Sequence, residues 1–252
     1  VEKGGPHPYM IGEGEARSAL DAVRAAKSMP ELTLDARTVV WGHSQGGHAA
    51  LWIGSVGPHY APEVKIMGVA AIAPAADLKS ILAMNVGVDK WLGPYVARAY
   101  SRFYPDITFE QALRPEALAA AGEMQNLCFF LPPEHTLRLH VLAKSFDGAA
   151  LATGTNPALA ARLTQNAATA RIAAPVVIAQ GLADVVVPSA ATDAYVKGRC
   201  AAGQRLEYWT FEAPDHISIV TPGTPLDEPL AIWTAARFAG EPQAPGCARQ
   251  AL

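Results

Sequence analysis

The chain has 252 residues, of which 50% are hydrophobic and 17% charged. This length and composition suffice to bury the core of one globular domain. A formal net charge of −3 gives no reason to expect a nucleic acid or an anionic membrane as a partner. No apolar run approaches the length of a transmembrane helix.

The first half of the chain alternates helical and strand patterns. A helix is predicted from about residue 13 to residue 28, and a short β-branched and aromatic strand at residues 38–41. A second helix then continues to about residue 56, and an apolar strand follows at residues 65–73. These elements form the first part of a predicted sheet, with residues 1–76 as the first part of the core.

The turn between the first strand and the second helix carries the pattern G-x-S-x-G, at Gly42, Ser44 and Gly46. A strand, a sharp turn and a helix are the context in which this pattern makes a serine nucleophilic in an α/β-hydrolase. We expect Gly42 and Gly46 to remove side-chain clashes across the turn. A chance glycine-rich turn is the alternative, because the pattern alone is short.

The residue after the serine has a predicted role through its main chain. The amide of Gln45 begins the helix, so it points to the place where a substrate carbonyl oxygen becomes an oxyanion. The positive end of the helix dipole lies behind it. Gln45 therefore supplies one of the two donors expected in an oxyanion hole.

Between residues 77 and 172 the pattern changes. Helical segments at residues 78–84, 91–103, 115–124 and 157–170 alternate with proline and glycine loops, without a good strand. We predict a helical cap inserted between two core strands. Its aromatic side chains could line an acyl pocket or pack the cap itself; they are Trp91, Tyr95, Tyr100, Phe103, Tyr104, Phe129 and Phe130.

The second part of the core, residues 173–252, offers the acid and the base. A buried strand at residues 174–180 leads into Asp184, and an alternating strand at 205–211, placed nearer the sheet edge, leads into His216. The order Ser, Asp, His is that of the α/β-hydrolases. We predict that His216 follows the last strand and is the base, and that Asp184 orients it. A last helix, at residues 228–238, is predicted to pack on the sheet.

Other residues compete for these roles. Asp77 follows the strand at 65–73, an alternative acid position, while Asp215 adjoins His216 but is expected to face solvent. Asp184 itself could be a turn former. His43 and His48 flank the serine and are interpreted as packing or site-lining residues. The remaining histidines lack a strand-end loop; they are His7, His59, His135 and His140.

The sequence lacks the short motifs of other chemistries. It has no P-loop, no G-x-G-x-x-G after a strand, no H-E-x-x-H and no C-x-x-C. We therefore predict neither a metal nor another cofactor.

The chain resembles the secretory lipase family, the lipase-A-like branch of the α/β-hydrolases. The resemblance covers most of the chain except the middle. It rests on Pro-His-Pro-Tyr at 6–9, Gly-Glu-Gly-Glu-Ala at 12–16, the helix at 20–26, residues 41–51, Tyr-Ala-Pro-Glu at 60–63, residues 180–184, Asp-His at 215–216, Trp233 and Arg-Phe-Ala-Gly at 237–240.

This resemblance implies secreted enzymes that hydrolyse carboxylic esters, commonly fatty acyl esters such as acylglycerols, with a helical lid over the site. Carried onto this chain, it implies Ser44 as nucleophile, Asp184 as acid, His216 as base and Gln45 as oxyanion donor. It implies a small-molecule or lipid ester as substrate, with a lipid–water interface as a possible place of action. It also favours a disulfide between Cys200 and Cys247.

The chain departs from this family before the nucleophile. Such enzymes place several strands there, and the loop that supplies the second oxyanion donor, whereas one strand precedes Ser44 here. We expect a further N-terminal segment or a companion chain; a naturally shortened hydrolase is the alternative. Cys128 is then either a buried thiol or the partner of a cysteine in that segment.

Two other functions stay open from the sequence. The same fold and triad serve thioesterases, acyltransferases and peptidases, because they do not fix the bond that is cleaved. A non-catalytic binding module with a hydrolase shape is the second alternative.

Overall fold

The computed structural model describes residues 7–129 and 132–252. Pro6, part of the motif at residues 6–9, and Phe130, one of the predicted cap aromatics, lie outside the described residues. The chain divides into two compact units. One unit, called here the core unit, comprises residues 12–77 and 167–252, and the other, called the helical unit, comprises residues 7–11, 78–129 and 132–166.

The regular elements of the described residues alternate as an α/β chain does. The strands are β1 (Arg37–His43), β2 (Lys65–Ile72), β3 (Val176–Gly181), β4 (Leu206–Phe211) and β5 (Cys247–Ala251). The α-helices are α1 (Gly12–Ser28), α2 (Gln45–Tyr60), α3 (Leu78–Met84), α4 (Val86–Phe103), α5 (Phe109–Ala112), α6 (Leu118–Met124), α7 (Pro133–Ala143), α8 (Pro157–Gln165), α9 (Ser189–Ala201) and α10 (Asp227–Phe238). Two 3₁₀ turns, Pro115–Ala117 and Ser218–Val220, complete the described set.

All strands of the core unit belong to one parallel sheet in the order β1-β2-β3-β4-β5. The tail strand β5 was not predicted, and it pairs with β4 from Leu206 against Cys247 to Thr210 against Ala251. The prediction that β4 is the last strand is therefore wrong, while its predicted place nearer the sheet edge than β3 is confirmed. At the other end, β1 pairs with β2 within the described residues, and its Trp41 is 49% exposed.

Helices cover both faces of this sheet. On one face, Leu51 of α2 and Val196 of α9 join a buried cluster with Val69 and Ile178 of the central strands. On the other face, Trp233 of α10 packs in a second buried cluster, which confirms the predicted position of this helix. Every residue of β3 is buried, as expected for a parallel strand covered on both faces. The predicted α/β architecture is therefore confirmed.

A disulfide joins Cys200, near the end of α9, to Cys247 at the start of β5, with 5.9 Å between their Cα atoms. The pairing that the family resemblance implied is present. Cys128 is free and exposed, so the buried thiol, one of the two alternatives predicted for it, is wrong.

We expect the double substitution Cys200→Ser with Cys247→Ser to lower the free energy of unfolding by about 2–4 kcal/mol. The bridge closes a long loop, with a sequence separation of 47, and anchors a strand whose residues are all exposed. Denaturation by urea measures the change. Cys128→Ser is the matched control and should shift the midpoint little. Equal midpoints for the double variant and the unmodified protein would contradict the prediction.

The helices of the helical unit range from 4 residues in α5 to 18 in α4, and its described residues form no strand beyond a single antiparallel bridge between Leu113 and Leu151. Helix α7 was not predicted, α4 begins five residues before the predicted start at Trp91, and α8 ends at Gln165 rather than at residue 170. Among the described residues, none of the helices combines the length and apolar composition needed to cross a bilayer.

Buried polar and aromatic contacts hold the helical unit together. Asp89 of α4 accepts from the amides of Ala150 and Leu151 at 2.5 and 2.9 Å, and burial raises the pKa of its carboxyl group. Tyr100 is fully buried and donates to the carbonyl of Met10. These contacts favour packing over pocket lining for at least Tyr100 among the predicted cap aromatics.

Candidate active site

Ser44 lies at the sharp turn between β1 and α2. Its backbone has φ 56° and ψ −116°, a conformation that few residues other than glycine adopt. Three main-chain hydrogen bonds hold it there: its amide donates to Ile72 at 2.9 Å, and its carbonyl accepts from Ala75 at 3.0 Å and from His48 at 3.1 Å. Strain that surrounding bonds maintain is a common property of functional sites.

The glycines of the turn have different roles. A Cβ at Gly42 would lie 1.9 Å from the carbonyl oxygen of Gly46, so only glycine fits there. A Cβ at Gly46 would meet no atom within 4 Å, and the predicted steric role of Gly46 is wrong. The second glycine that a side chain could not replace without a clash is Gly47, because a Cβ there would lie 2.9 Å from Cα of Pro74.

The structure brings the three predicted side chains of the core unit into one hydrogen-bonded chain. Nε2 of His216 lies 2.9 Å from Oγ of Ser44. Nδ1 of His216 lies 2.7 Å from Oδ2 of Asp184. Asp184 and His216 are buried, with 5% and 7% of their surface exposed. A hydroxyl, an imidazole and a carboxylate in this order can pass a proton from the hydroxyl to the ring.

The carboxylate of Asp184 is held by donors on both oxygens. Oδ1 accepts from the amides of Val186 and Val187, each at 2.8 Å, and Oδ2 accepts from Nε2 of Gln180 at 3.1 Å as well as from His216. Sequence reasoning missed Gln180. A glutamine in an otherwise apolar strand could have indicated this contact, because a buried amide needs several hydrogen-bond partners.

Gln45 is the first residue of α2. No acceptor for its amide is found among the described residues, so this N–H is available to an anion at the helix N-terminus. Its side chain turns to α1, where Nε2 donates to Oε1 of Glu15 at 2.7 Å. Glu15 also lies 2.8 Å from Nδ1 of the buried His48.

The other acidic candidates have different surroundings. Asp215 is exposed, as predicted, and its Oδ1 accepts from the amides of Ile217 and Ser218 at 3.0 and 2.8 Å. These bonds lower the pKa of the Asp215 carboxyl and close the turn that carries His216. The carboxylate that lies against Nδ1 of His216 is that of Asp184 and not that of Asp77. In the described part of the chain, no group of three acidic, histidine or cysteine side chains is placed to hold a metal ion.

His43 lies directly against the imidazole of His216. The ring centroids are 4.6 Å apart, and Nε2 of His43 lies 2.7 Å from the carbonyl oxygen of His216. In its neutral form His43 donates to that carbonyl. Burial lowers the pKa of His43, and the neighbouring His216 lowers it further. His43 is thus a site-lining residue, one of the two roles predicted for it.

We expect His43→Gln to flatten the dependence of stability on pH between pH 7 and 5. The folded protein binds a proton on His43 less readily than the unfolded chain does. Neutral His43 therefore makes its full contribution to the free energy of unfolding above the ordinary histidine pKa of about 6.5. It is lost as the pH falls through the lowered pKa of the folded state. Thermal unfolding at several pH values measures the effect.

The control for this prediction is His59→Gln, which changes an exposed histidine near the far end of α2. The His59 variant should keep the slope of the unmodified protein between pH 7 and 5. An unchanged slope in His43→Gln would contradict the prediction.

The comparisons with known proteins agree with the motif evidence. The family model described as "Secretory lipase" matches residues 3–125, which include the turn at Ser44. The chain is related to the secretory lipases. The predicted resemblance to this family is thereby confirmed, and the turn at Ser44, α1 and α2 all lie in the matched stretch.

Individual relatives match shorter stretches. "Lipase 6" of Candida albicans is 31% identical over 120 residues, which are 45% of this chain and 25% of that protein. The "Secreted triacylglycerol lipase" of Malassezia furfur is 32% identical over 89 residues, which are 34% of this chain and 23% of that protein. The chain therefore aligns with about a quarter of the length of these curated relatives.

The fold has a solved counterpart. Lipase A of Candida antarctica, in its closed state, superimposes with a TM-score of 0.73 at 21% identity, covering 94% of this chain and 57% of that chain. This chain therefore has the α/β-hydrolase fold that the sequence predicted.

Proposed function

We propose that this chain is a serine hydrolase that cleaves carboxylic esters through an acyl-enzyme. Ser44 is the nucleophile, His216 the general base, Asp184 the acid that orients it, and the amide of Gln45 one oxyanion donor. The observation that carries the proposal is the continuous path from Oγ of Ser44 through both ring nitrogens of His216 to Asp184, at 2.9 and 2.7 Å. The family and the fold support it.

In the first half of the reaction, Oγ of Ser44 attacks the ester carbonyl carbon while Nε2 of His216 takes the hydroxyl proton. The carbonyl oxygen becomes an oxyanion at the N-terminus of α2, where the amide of Gln45 and the helix dipole stabilise it. Asp184 stabilises the imidazolium, because its Oδ2 lies 2.7 Å from Nδ1. The intermediate collapses when His216 gives the proton to the leaving alcohol.

In the second half, water replaces the alcohol. His216 takes a proton from the water, the hydroxide attacks the acyl carbon, and Ser44 leaves with the proton returned by Nε2. The products are the free acid and the regenerated serine. Atoms balance with water as the only further reactant.

The proposed substrates are fatty acyl esters, including acylglycerols, at a lipid–water interface. The support comes from the relatives: one of them is described as a secreted triacylglycerol lipase. We also propose that the protein is secreted. The disulfide between Cys200 and Cys247 supports this location, because disulfides persist in oxidising compartments.

A substrate panel tests the proposed reaction. One butyryl group is offered as a p-nitrophenyl ester, an anilide and a thioester, and the palmitoyl ester is added to measure chain-length preference. We expect the esters to be hydrolysed fastest. Faster cleavage of the anilide or the thioester would replace the ester-hydrolase proposal with peptidase or thioesterase chemistry.

A fluorophosphonate probe tests the nucleophile independently of the substrate. Such probes phosphonylate an activated serine, and mass spectrometry of the digested protein locates the adduct. We expect labelling at Ser44. A protein that neither hydrolyses the panel nor reacts with the probe would be a hydrolase-shaped binding module instead.

A further inference from the structure

A buried carboxylate lies behind the first turn of the nucleophile helix. Glu15 of α1 is 7% exposed, and its two oxygens have different partners on α2. Oε1 accepts from Nε2 of Gln45 at 2.7 Å, and Oε2 lies 2.8 Å from Nδ1 of His48, whose side chain is 1% exposed. The proposed triad does not use any of these three side chains.

The packing of α1 against α2 brings this carboxylate to the site. A Cβ at Gly12, the first residue of α1, would lie 2.1 Å from the indole ring of Trp52, so the glycine is needed for the packing of the two helices at this point. Glu15 lies one turn further along α1, opposite the start of α2. Burying an ionised carboxylate costs several kcal/mol unless hydrogen bonds compensate it. A buried carboxylate at this position therefore points to a role that a hydrophobic side chain could not fill.

The geometry points to Glu15 as a positioning residue for the oxyanion donor, an inference that rests on the proposed function. The peptide between Ser44 and Gln45 is fixed on one side by the hydrogen bonds of Ser44 to Ile72 and Ala75. On the other side, Glu15 holds the side chain of Gln45. The amide N–H of Gln45 is thereby kept in one direction, although no acceptor binds it before the oxyanion forms.

The contact with Glu15 would accelerate the reaction by holding the oxyanion donor in place before the reaction begins. A donor aimed at the developing oxyanion needs no reorientation during the reaction, and this is why oxyanion holes accelerate catalysis. A displacement of about 1 Å in a positioned group can cost about 100-fold in rate. Loss of the Glu15 contact should therefore affect the transition state more than the binding of the ester.

A purely structural role is the competing explanation, since Glu15 also ties α1 to α2. The same pair of helices offers a matched control at its other end. Oη of Tyr60, the last residue of α2, donates to Asp21 of α1 at 2.8 Å. Asp21→Asn weakens the helix pair far from Ser44 and leaves the contacts of Gln45 in place.

The experiment compares Glu15→Ala, Gln45→Met, Glu15→Gln and Asp21→Asn in the full chain. Gln45→Met keeps the main-chain donor and the side-chain length but removes the contact with Glu15. For each variant, kcat and KM on p-nitrophenyl butyrate, the rate of phosphonylation of Ser44 and the melting temperature are measured. Glu15→Gln is the conservative variant, because an amide oxygen can still accept from Gln45.

We expect Glu15→Ala and Gln45→Met to lower kcat about 10- to 100-fold while KM changes less than about twofold. Phosphonylation, which also places an oxygen in the oxyanion hole, should slow in parallel. Glu15→Gln should recover most of kcat. Asp21→Asn should keep kcat even if its melting temperature falls.

Two results would overturn the inference. In one, Gln45→Met keeps the kcat of the unmodified protein; this variant decides the question if Glu15→Ala does not fold. In the other, Asp21→Asn loses kcat in proportion to its loss of melting temperature, which is the pattern of a structural role. If the unmodified protein neither hydrolyses the ester nor reacts with the phosphonate, the proposed function itself fails, and the inference fails with it.

Discussion

Ser44→Ala is expected to lower the hydrolysis of p-nitrophenyl butyrate and palmitate by about 10⁴- to 10⁶-fold. Removal of a serine nucleophile has an effect of this size because no other group can form the acyl-enzyme. The melting temperature should change little. Alanine is about as strained as serine at φ 56°, and the main-chain bonds of residue 44 stay in place.

Ser55→Ala is the matched control for this prediction. Ser55 also belongs to α2, and its hydroxyl donates to the carbonyl of Trp52 at 3.0 Å. The control should keep full activity and react with the phosphonate probe as fast as the unmodified protein. Substantial turnover by Ser44→Ala would discard Ser44 as the nucleophile, whichever of the two esters is used.

The residues around Ser44 were predictable because the motif and its neighbours are local in sequence. The β-branched strand, the glycine of the turn and the apolar helix all fall between Arg37 and Tyr60. The proposed acid and base were located by a second local rule, since ligand sites lie at the carboxyl ends of parallel strands. Asp184 follows β3 by three residues, and His216 follows β4 by five.

The contacts that sequence reasoning missed depend on residues distant in the chain. Nothing in the local sequence indicates which residues Glu15 and Gln180 contact. The contact of Glu15 forms when α1 packs on α2, and that of Gln180 forms when the loop after β3 folds back. The tail strand β5 has no apolar pattern, because all its residues are exposed. The parallel pairing with β4 and the disulfide at Cys247 stabilise it, and neither follows from strand propensity.

The glycine at position 46 shows that a motif can also suggest a steric role that the structure does not bear out. The pattern G-x-S-x-G suggests that both glycines relieve clashes, yet the close approach in this chain involves Gly42 and Gly47. The second glycine of a motif is thus interpretable only with the positions of its neighbours. Pro74, which follows β2, is what Gly47 must avoid.

Asp184→Asn is expected to lower kcat for ester hydrolysis by about 10⁴-fold, because an amide cannot stabilise the imidazolium and disfavours the required tautomer of His216. The amide oxygen can still accept from Val186 and Val187, so the loop after β3 keeps its turn. The amide nitrogen then faces two donors, His216 Nδ1 and Gln180 Nε2. Activity and circular dichroism of the same samples measure the two effects separately.

Two matched variants decide between the candidate acids. Asp215→Asn changes the exposed neighbour of His216, and Asp77→Asn changes the alternative acid; both should keep kcat within about tenfold if Asp184 has the proposed role. If Asp77→Asn instead loses kcat by about 10⁴-fold while Asp184→Asn stays active, Asp77 and not Asp184 is the acid.

The double variant Ser44→Ala with Asp184→Asn extends this test. Members of a triad act as a unit, so their single losses do not multiply. The double variant should therefore be about as slow as Ser44→Ala alone. A further loss of several hundredfold would mean that Asp184 acts by some route other than through His216 on Ser44, such as holding the loop that carries Val186 and Val187.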